Sequence, residues 1–412
     1  MQDSAYDVAI AGGSFVGLTL AIALSRASNG AVTVAVIDKA GRDAQLGAGF
    51  DGRSAAIAAA AKRMFETLEI WPAVAADAQP IRAIEITDTE LDMPIRTALL
   101  RFNTELREDL AAAYVLENVK LRRALFEAAE AAPGVSLIMP ASVGSFSADD
   151  AGVSLALTDG RLLRARLLVA ADGQKSALRA MAGIKTVEWA AERMGLVACV
   201  AHEGEHDGRA VQHFLPSGPF AMLPLTGRRT SLVWTERMTE ARRLLALGAP
   251  AFTEEVERRF GRHLGPLTII SKPSGYPLSM TLARGFVKPR FALAGDSAHA
   301  LHWIAGQGLN HGLKDAAALA EVVMDAARLG MDIGAIETLQ RYERWRRFDS
   351  ATGALAAAAI NRLFSDGGAP LRALRSLGLS VVERAGPVKE FFMREAAGLT
   401  GSPPRLLRGE QL

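Results

Sequence analysis

The chain has 412 residues, half of them hydrophobic, with 47 Lys and Arg against 45 Asp and Glu. That length supports a sizeable core spread over two or three domains, and the near-neutral balance excludes a general nucleic-acid surface. A single cysteine, Cys199, excludes an intrachain disulfide and suits a reducing compartment.

The first strand is expected from Tyr6 to Ala11, almost at once after Met1, so no basic stretch with a cleavable apolar core precedes it and no targeting signal is predicted. A tight turn, Gly12, Gly13, Ser14, Phe15, Val16 and Gly17, follows, then an apolar helix from Leu18 to Arg26. A second strand runs from Val32 to Ile37 and ends in Asp38 and Lys39. This β-α-β unit carries an acidic residue about 20 positions beyond the glycine turn, the spacing that sets a dinucleotide pyrophosphate on a helix N-terminus and a carboxylate on the ribose. The second glycine of the usual G-x-G-x-x-G is Ser14 here, which adds a Cβ and a hydroxyl where phosphate approaches. Modified rather than lost binding is expected.

Further along, Asp51 and Arg53 lie in the loop after the second strand, and Arg53 has the fork geometry that bridges a pyrophosphate. A third apolar strand, Leu167 to Ala171, ends in Asp172 and Gly173, with Ser176 and Arg179 beyond. A fourth, Phe291 to Ala294, leads into Gly295 and Asp296, then His299, and then Gly306, Gln307, Gly308, Leu309 and Asn310 at the start of a helix through Val323. Acidic residues at the C-terminal ends of successive strands mark the edge where open α/β sheets bind ligands. Glycines 306 and 308 let a flat ring approach the backbone. Three separated strand-end sites suggest one extended ligand.

The alternation predicts an α/β cofactor domain in three pieces, about 1–80, 108–185 and 277–335, interleaved with a β-rich substrate domain over 81–107 and 186–276, and a helical region over 336–412. His299, His302 and His311 cluster in sequence but lack the helix spacing of a metal site with an acidic base, so no metal is expected. Ser14 and Ser176 sit in no G-x-S-x-G context, which argues against a serine hydrolase.

Taken together, G-x-G-x-x-G with its serine, D-x-R, D-G-x-x-S-x-x-R, and G-D-x-A-H followed by G-Q-G-x-N-x-G-x-x-D resemble the single-component FAD-dependent aromatic hydroxylases (class A flavoprotein monooxygenases). The ubiquinone-biosynthesis hydroxylases are the most similar group. The resemblance spans nearly the whole chain and implies a Rossmann-like FAD-binding domain. It implies that Gly12, Gly13, Ser14, Phe15, Val16 and Gly17 cradle the FAD pyrophosphate, with Asp38 and Lys39 at the adenosine ribose and Arg53 near the pyrophosphate. Asn118 corresponds to a polar residue turned towards the cofactor. Asp172 and Gly173 would serve FAD or nicotinamide-nucleotide contacts, Asp296 the ribitol, and Gly306, Gln307, Gly308, Leu309 and Asn310 the isoalloxazine.

The implied reaction uses NAD(P)H and O2 to hydroxylate an aromatic ring, a prenylated phenol by the nearest resemblance, through a flavin hydroperoxide. The cofactor carries that chemistry, while an apolar pocket excludes water. Met222, Leu223 and Pro224 are candidate walls, with a plain sheet-core strand as the competing reading. Trp303, a fourth pocket candidate, stands where the family has proline, a bulky ring that would reshape the pocket or restrict the flavin and that leaves open a reductase or dehydrogenase without oxygen insertion. A noncatalytic flavoprotein subunit of a biosynthetic complex is the third alternative. No residue is assigned as catalytic base.

From Arg341 to Leu412 the chain has twelve Lys and Arg against seven Asp and Glu. This suits either a solvated helical cap or docking on an anionic membrane surface, and self-association through the same region is compatible with it. The alanine-rich run from Ala354 to Ile360 is too short to span a bilayer. A cytoplasmic protein, able to dock at the inner membrane face, is expected.

Overall fold

The computed structural model describes residues 4–47, 49–88, 91, 100–107, 110–189, 192–215, 217–261, 263–300, 308–347 and 393–412. Of the residues singled out by sequence, Gly306, Gln307, Trp303 and His302 lie outside them, as does 348–392 of the C-terminal region. The fold class is the mixed α/β arrangement expected.

A parallel sheet forms the base of the molecule, in the order Val135–Ile138, Val34–Ile37, Ser4–Ala11, Leu162–Ala170 and Phe291–Leu293. Its central strands are near-continuous apolar runs because helices cover them; Val8, Ile10, Val34, Val36, Leu167 and Val169 are fully buried. The strands are aligned so that their C-terminal ends coincide: Ala11 pairs with both Ile37 and Ala170, and Ala170 with Leu293. Three further backbone bonds extend the ladder one residue, from Gly12 to Ile37 (2.8 Å), Ala171 to Ala11 (2.7 Å) and Ala294 to Ala170 (2.9 Å). The residues that follow therefore emerge side by side at one sheet edge.

The strand Leu162–Ala170 belongs to two arrangements. Its first half pairs antiparallel with Gly152–Leu157, whereas its second half pairs parallel with Phe291–Leu293. The helices Phe15–Ser28 and Gly308–Arg328 pack together against the sheet, and Val16 fills the space left by two glycines. A Cβ on Gly295 would meet Val16 Cγ2 at 3.0 Å, and one on Gly312 would meet it at 2.6 Å.

A second eight-stranded sheet stands over this edge. It runs Leu267–Ile269, Arg193–His202, Arg229–Arg237, Gly218–Leu225, Arg209–Leu215, Ala83–Asp88 and Leu100–Asn103, with Ser274–Pro277 also paired to Arg193–His202. It is antiparallel apart from the pair Arg209–Leu215 and Ala83–Asp88. The helices Met238–Leu245 and Ala249–Phe260 cover one face, burying Leu196, Phe220, Met222, Leu232 and Trp234 in a separate core. Thr186–Trp189, which sequence groups with this β-rich stretch, instead joins a three-stranded sheet with Met280–Ala283 and His299–Ala300.

Candidate functional site

Between the aligned strand ends and the second sheet lies a cleft of about 620 Å³. From the first side it receives Gly12, Ser14, Phe15, Val16, Asp38, Asn118, Asp172, Gly173, Asp296, Gly308 and Leu309. The opposing wall comes from Gly195, Val233, Thr235, Tyr276 and the segment through Ser279. Gln174 ties the walls together, its Nε2 donating to Ser279 Oγ at 2.9 Å and Ser279 O at 3.1 Å.

The first turn is shaped by steric necessity. Gly12 has φ +118°, and a Cβ there would lie 2.1 Å from Ala171 O; a Cβ on Gly17 would lie 1.9 Å from Gly12 O. Only glycine lets the strand, turn and helix close so tightly. Gly13 is more tolerant, since its nearest neighbour is the flexible end of Met139. Ser14 is the N-cap of Phe15–Ser28, yet its side chain makes no capping bond. The hydroxyl borders the cleft beside the unsatisfied amides of the helix start, where an anion is favoured.

Asp38 has a structural role as well as a place in the cleft. Its carboxylate accepts from the amides of Gly13 (2.7 Å) and Ala40 (2.8 Å), pinning the glycine turn to the end of the second strand. Lys39 is exposed and does not border the cleft. Arg53 also lies off it, in an exposed pair with Asp51, with Nε 2.8 Å from Oδ2. Burial opposes the charge on Asp51, but the bonds from Arg53 outweigh it and lower its pKa. The carbonyl of Arg53 accepts the Asn118 amide at 3.0 Å and so positions the start of Asn118–Ala131.

Asn310 turns away from the cleft. Its side chain accepts from Ala58 N (2.9 Å) and donates to Ala56 O (2.8 Å), clamping the edge of the strand Ser54–Ala58. Met222 is packed under the covering helices, and Leu223 points to the other face of the sheet, as strand alternation requires. Leu223 lines a second, largely apolar cavity of about 90 Å³ with Ala56, Ile84, Ala113, Val211 and Ala221. Pro224 is buried but borders neither this cavity nor the main cleft.

The second turn, Gly295–Ser297, is held by charge. Asp315, fully buried, accepts from Gly295 N at 2.8 Å, lies 2.6 Å from His299 Nε2 and 2.6 Å from Arg346 Nε. Burial alone would raise the pKa of Asp315, but His299 and Arg346 reverse this and hold the carboxyl far below the usual range. Burial also drives His311 down to about 3, helped by the neighbouring His299 and Arg346. Asp296 opens onto the cleft yet is crowded by protein, which pushes its pKa upward; His299 opposes that shift and Asp315 adds to it.

The description "FAD binding domain" fits residues 5–347 of this sequence. The chain belongs to the FAD binding domain family. Among relatives of this flavoprotein is the ubiquinone hydroxylase UbiL of Rhodospirillum rubrum, 43% identical over 413 residues that cover 100% of this chain and 94% of that one. The 3-demethoxyubiquinol 3-hydroxylase of Escherichia coli is 34% identical over 406 residues, covering 97% and 100%. The motif resemblance to the ubiquinone-biosynthesis hydroxylases therefore holds. The p-nitrophenol 4-monooxygenase PnpA of Pseudomonas putida shares the fold, with a TM-score of 0.80 at 19% identity over 97% of this chain and 99% of that one.

The cleft also fits FAD on its own chemistry. Three buried polar atoms on its lining, Ser54 Oγ, Asn118 Oδ1 and Asp172 Oδ1, have no hydrogen-bond partner in the protein. Buried polar groups are rarely left so, and a polar ligand between them would satisfy all three. Ser54, Gln174 and Tyr276 were not legible as site residues in sequence. The available hints were the position of Ser54 directly after Arg53 and that of Gln174 directly after Gly173.

Proposed function

We propose that this flavoprotein is an NAD(P)H-dependent monooxygenase that hydroxylates the aromatic ring of a prenylated phenol on the way to ubiquinone. The observation that carries the reading is the cleft itself: glycine turn, strand-end carboxylates and unpartnered polar atoms share one edge, in a chain whose full-length relatives are ubiquinone hydroxylases. When bound, FAD supplies the redox and oxygen-transfer chemistry.

The protein's residues bind, orient and exclude water. Gly12, Ser14 and the start of Phe15–Ser28 hold the pyrophosphate, and Asp38 meets the adenosine ribose while fixing Gly13. Asp296 and Asn118, which line the cleft, would hold the ribityl chain, and Gly308 and Leu309 would border the ring. The apolar cavity lined by Leu223, Ala221, Ala56 and Val211 receives the phenol, sheltered from water. Asn310 holds the strand that carries Ala56 and so fixes that cavity's near wall. The cofactor domain comprises 1–80, 108–185 and 277–335, and the substrate domain 81–107 and 186–276 apart from Thr186–Trp189, whose pairing with Met280–Ala283 joins it to the cofactor side.

No helix among the described residues is long and apolar enough to cross a membrane. Peripheral docking at the inner membrane face completes the proposal, supported by the excess of basic residues after Arg341 and by the lipid tail of the substrate.

The test is anaerobic reduction of the purified protein by NAD(P)H, followed by oxygen-18 and a prenylated phenol, with mass analysis of the product. One labelled atom in the product is expected. Reduction without label across a panel of phenols would establish a reductase instead, and failure to reduce under any condition would point to a noncatalytic subunit.

A further inference from the structure

The helical residues 336–347 lie behind the sheet, and Tyr342, Glu343 and Arg346 all reach the segment that delivers Asp296 to the cleft. Tyr342, fully buried, donates its hydroxyl proton to Leu293 O at 2.7 Å. Arg346 lies one helical turn further on, on the same face. It too is fully buried, and it reaches Gly295 through Asp315: Nε donates to Asp315 Oδ1 at 2.6 Å, and Oδ2 of that carboxylate accepts the Gly295 amide at 2.8 Å. Arg346 also donates to His311 O at 3.4 Å, which ties it to the first turns of Gly308–Arg328. Glu343 accepts the Phe286 amide at 2.7 Å, upstream of the same strand.

We infer that Tyr342 and Arg346 are positioning residues for the cofactor, a clamp that fixes Leu293 and Gly295 from behind and thereby sets where Asp296 meets FAD. This rests on the reading of the cleft as the FAD site. Gly295 has φ +67°, a region other residues avoid, and glycine turns are free to move unless held. The strand ladder holds Ala294, and the clamp holds the residues on either side of it. An immobilised Asp296 loses less freedom when it engages a ligand, so the clamp acts on affinity through preorganisation. The buried pair alone is weak grounds for a stabilising role, since apolar replacements of such pairs often do as well. Its placement on the turn amide is what gives it a function.

The test compares Tyr342→Phe, Arg346→Lys and Arg346→Met with the wild type. FAD affinity is measured by flavin fluorescence titration of apoprotein, together with the visible spectrum of bound FAD, thermal midpoint and hydrogen exchange over residues 291–300. Tyr342→Phe keeps the ring and its packing, so it should fold normally, lose about threefold in FAD affinity and show faster exchange confined to that segment. Arg346→Met should lose about tenfold or more, with a shifted flavin spectrum, and Arg346→Lys should recover part of the loss. If Arg346→Met does not fold, the other two variants decide. Wild-type affinity, spectrum and segment exchange in Tyr342→Phe and Arg346→Lys would overturn the inference. Failure of the wild type itself to bind FAD would instead overturn the proposed function.

Discussion

Two turns leave the same sheet edge and face the same cleft, but they are held by different physics. The Gly12–Gly17 turn is fixed by crowding, because backbone oxygens occupy the places where side chains would start. The Gly295–Ser297 turn is fixed by the buried carboxylate of Asp315, which answers to His299 just past the turn and to an arginine 31 positions after the carboxylate. The turns meet at Val16, which packs against Gly295 and Gly312. A steric device shows locally in the glycines it requires, even where the crowding oxygen, as with Ala171 O at Gly12, is distant in sequence. An electrostatic one depends on residues that only the fold brings together.

The sharpest break in this comparison is Gly17→Ala. The added Cβ would meet Gly12 O at 1.9 Å, and backbone on both sides cannot give way, so a loss on the order of 3 kcal/mol or more in folding stability is expected. Chemical denaturation of the apoprotein measures it, and a near-wild-type midpoint would show that the turn opens without cost. Asn118→Ala tests the cleft rather than the scaffold. Its Oδ1 is unpartnered, so the apoprotein should keep its stability while FAD affinity falls about tenfold, as for a hydrogen bond made only to the ligand.

Gly312→Ala refines the comparison at the point where the turns touch. Its Cβ would meet the Val16 side chain, not backbone, at 2.6 Å, so a cost of about 1–2 kcal/mol is expected, clearly below that of Gly17→Ala. Equal losses would mean that Val16 is as immobile as the backbone.

The smallest effect should come from Asp296→Asn, seen as a pH dependence of apoprotein stability. The pKa of Asp296 is raised by its surroundings, so the folded state prefers the protonated form. Its favourable contribution is complete below the unfolded value and is lost as pH rises through the folded one. Asp296→Asn should therefore be slightly more stable than wild type at pH 7, with the advantage shrinking as pH falls towards 4. A constant difference across that range would exclude this source.

The parallel sheet and most of its C-terminal edge were legible because they rest on local pattern. Apolar runs ending in Asp38, Asp172 and Asp296, with glycine beside the last two, announce a ligand edge. The strand Gly218–Leu225 shows where pattern fails. Most of its residues are buried, so the polar alternation that separates two faces is absent, and Met222 and Leu223 look equivalent although they face opposite ways. Arg53 resembles a phosphate ligand in sequence but is paired with Asp51 two residues away, a choice of side-chain direction that no spacing records. Arg346 and Tyr342 carried no local signal, since an arginine in an amphipathic helix ordinarily faces water.

The divided strand Leu162–Ala170 carries a further implication for synthesis. Its hairpin partner, Gly152–Leu157, is already outside the ribosome when the strand emerges, whereas Phe291–Leu293 follows roughly 120 residues later. Until then, the half of the strand nearest the cofactor has an open flank of apolar side chains and unmatched amides, a surface of the kind that pairs with the wrong chain. Translation of the intervening second sheet thus sets a waiting period during which the nascent flavoprotein cannot complete its cofactor cleft, and chaperone demand should peak in that interval.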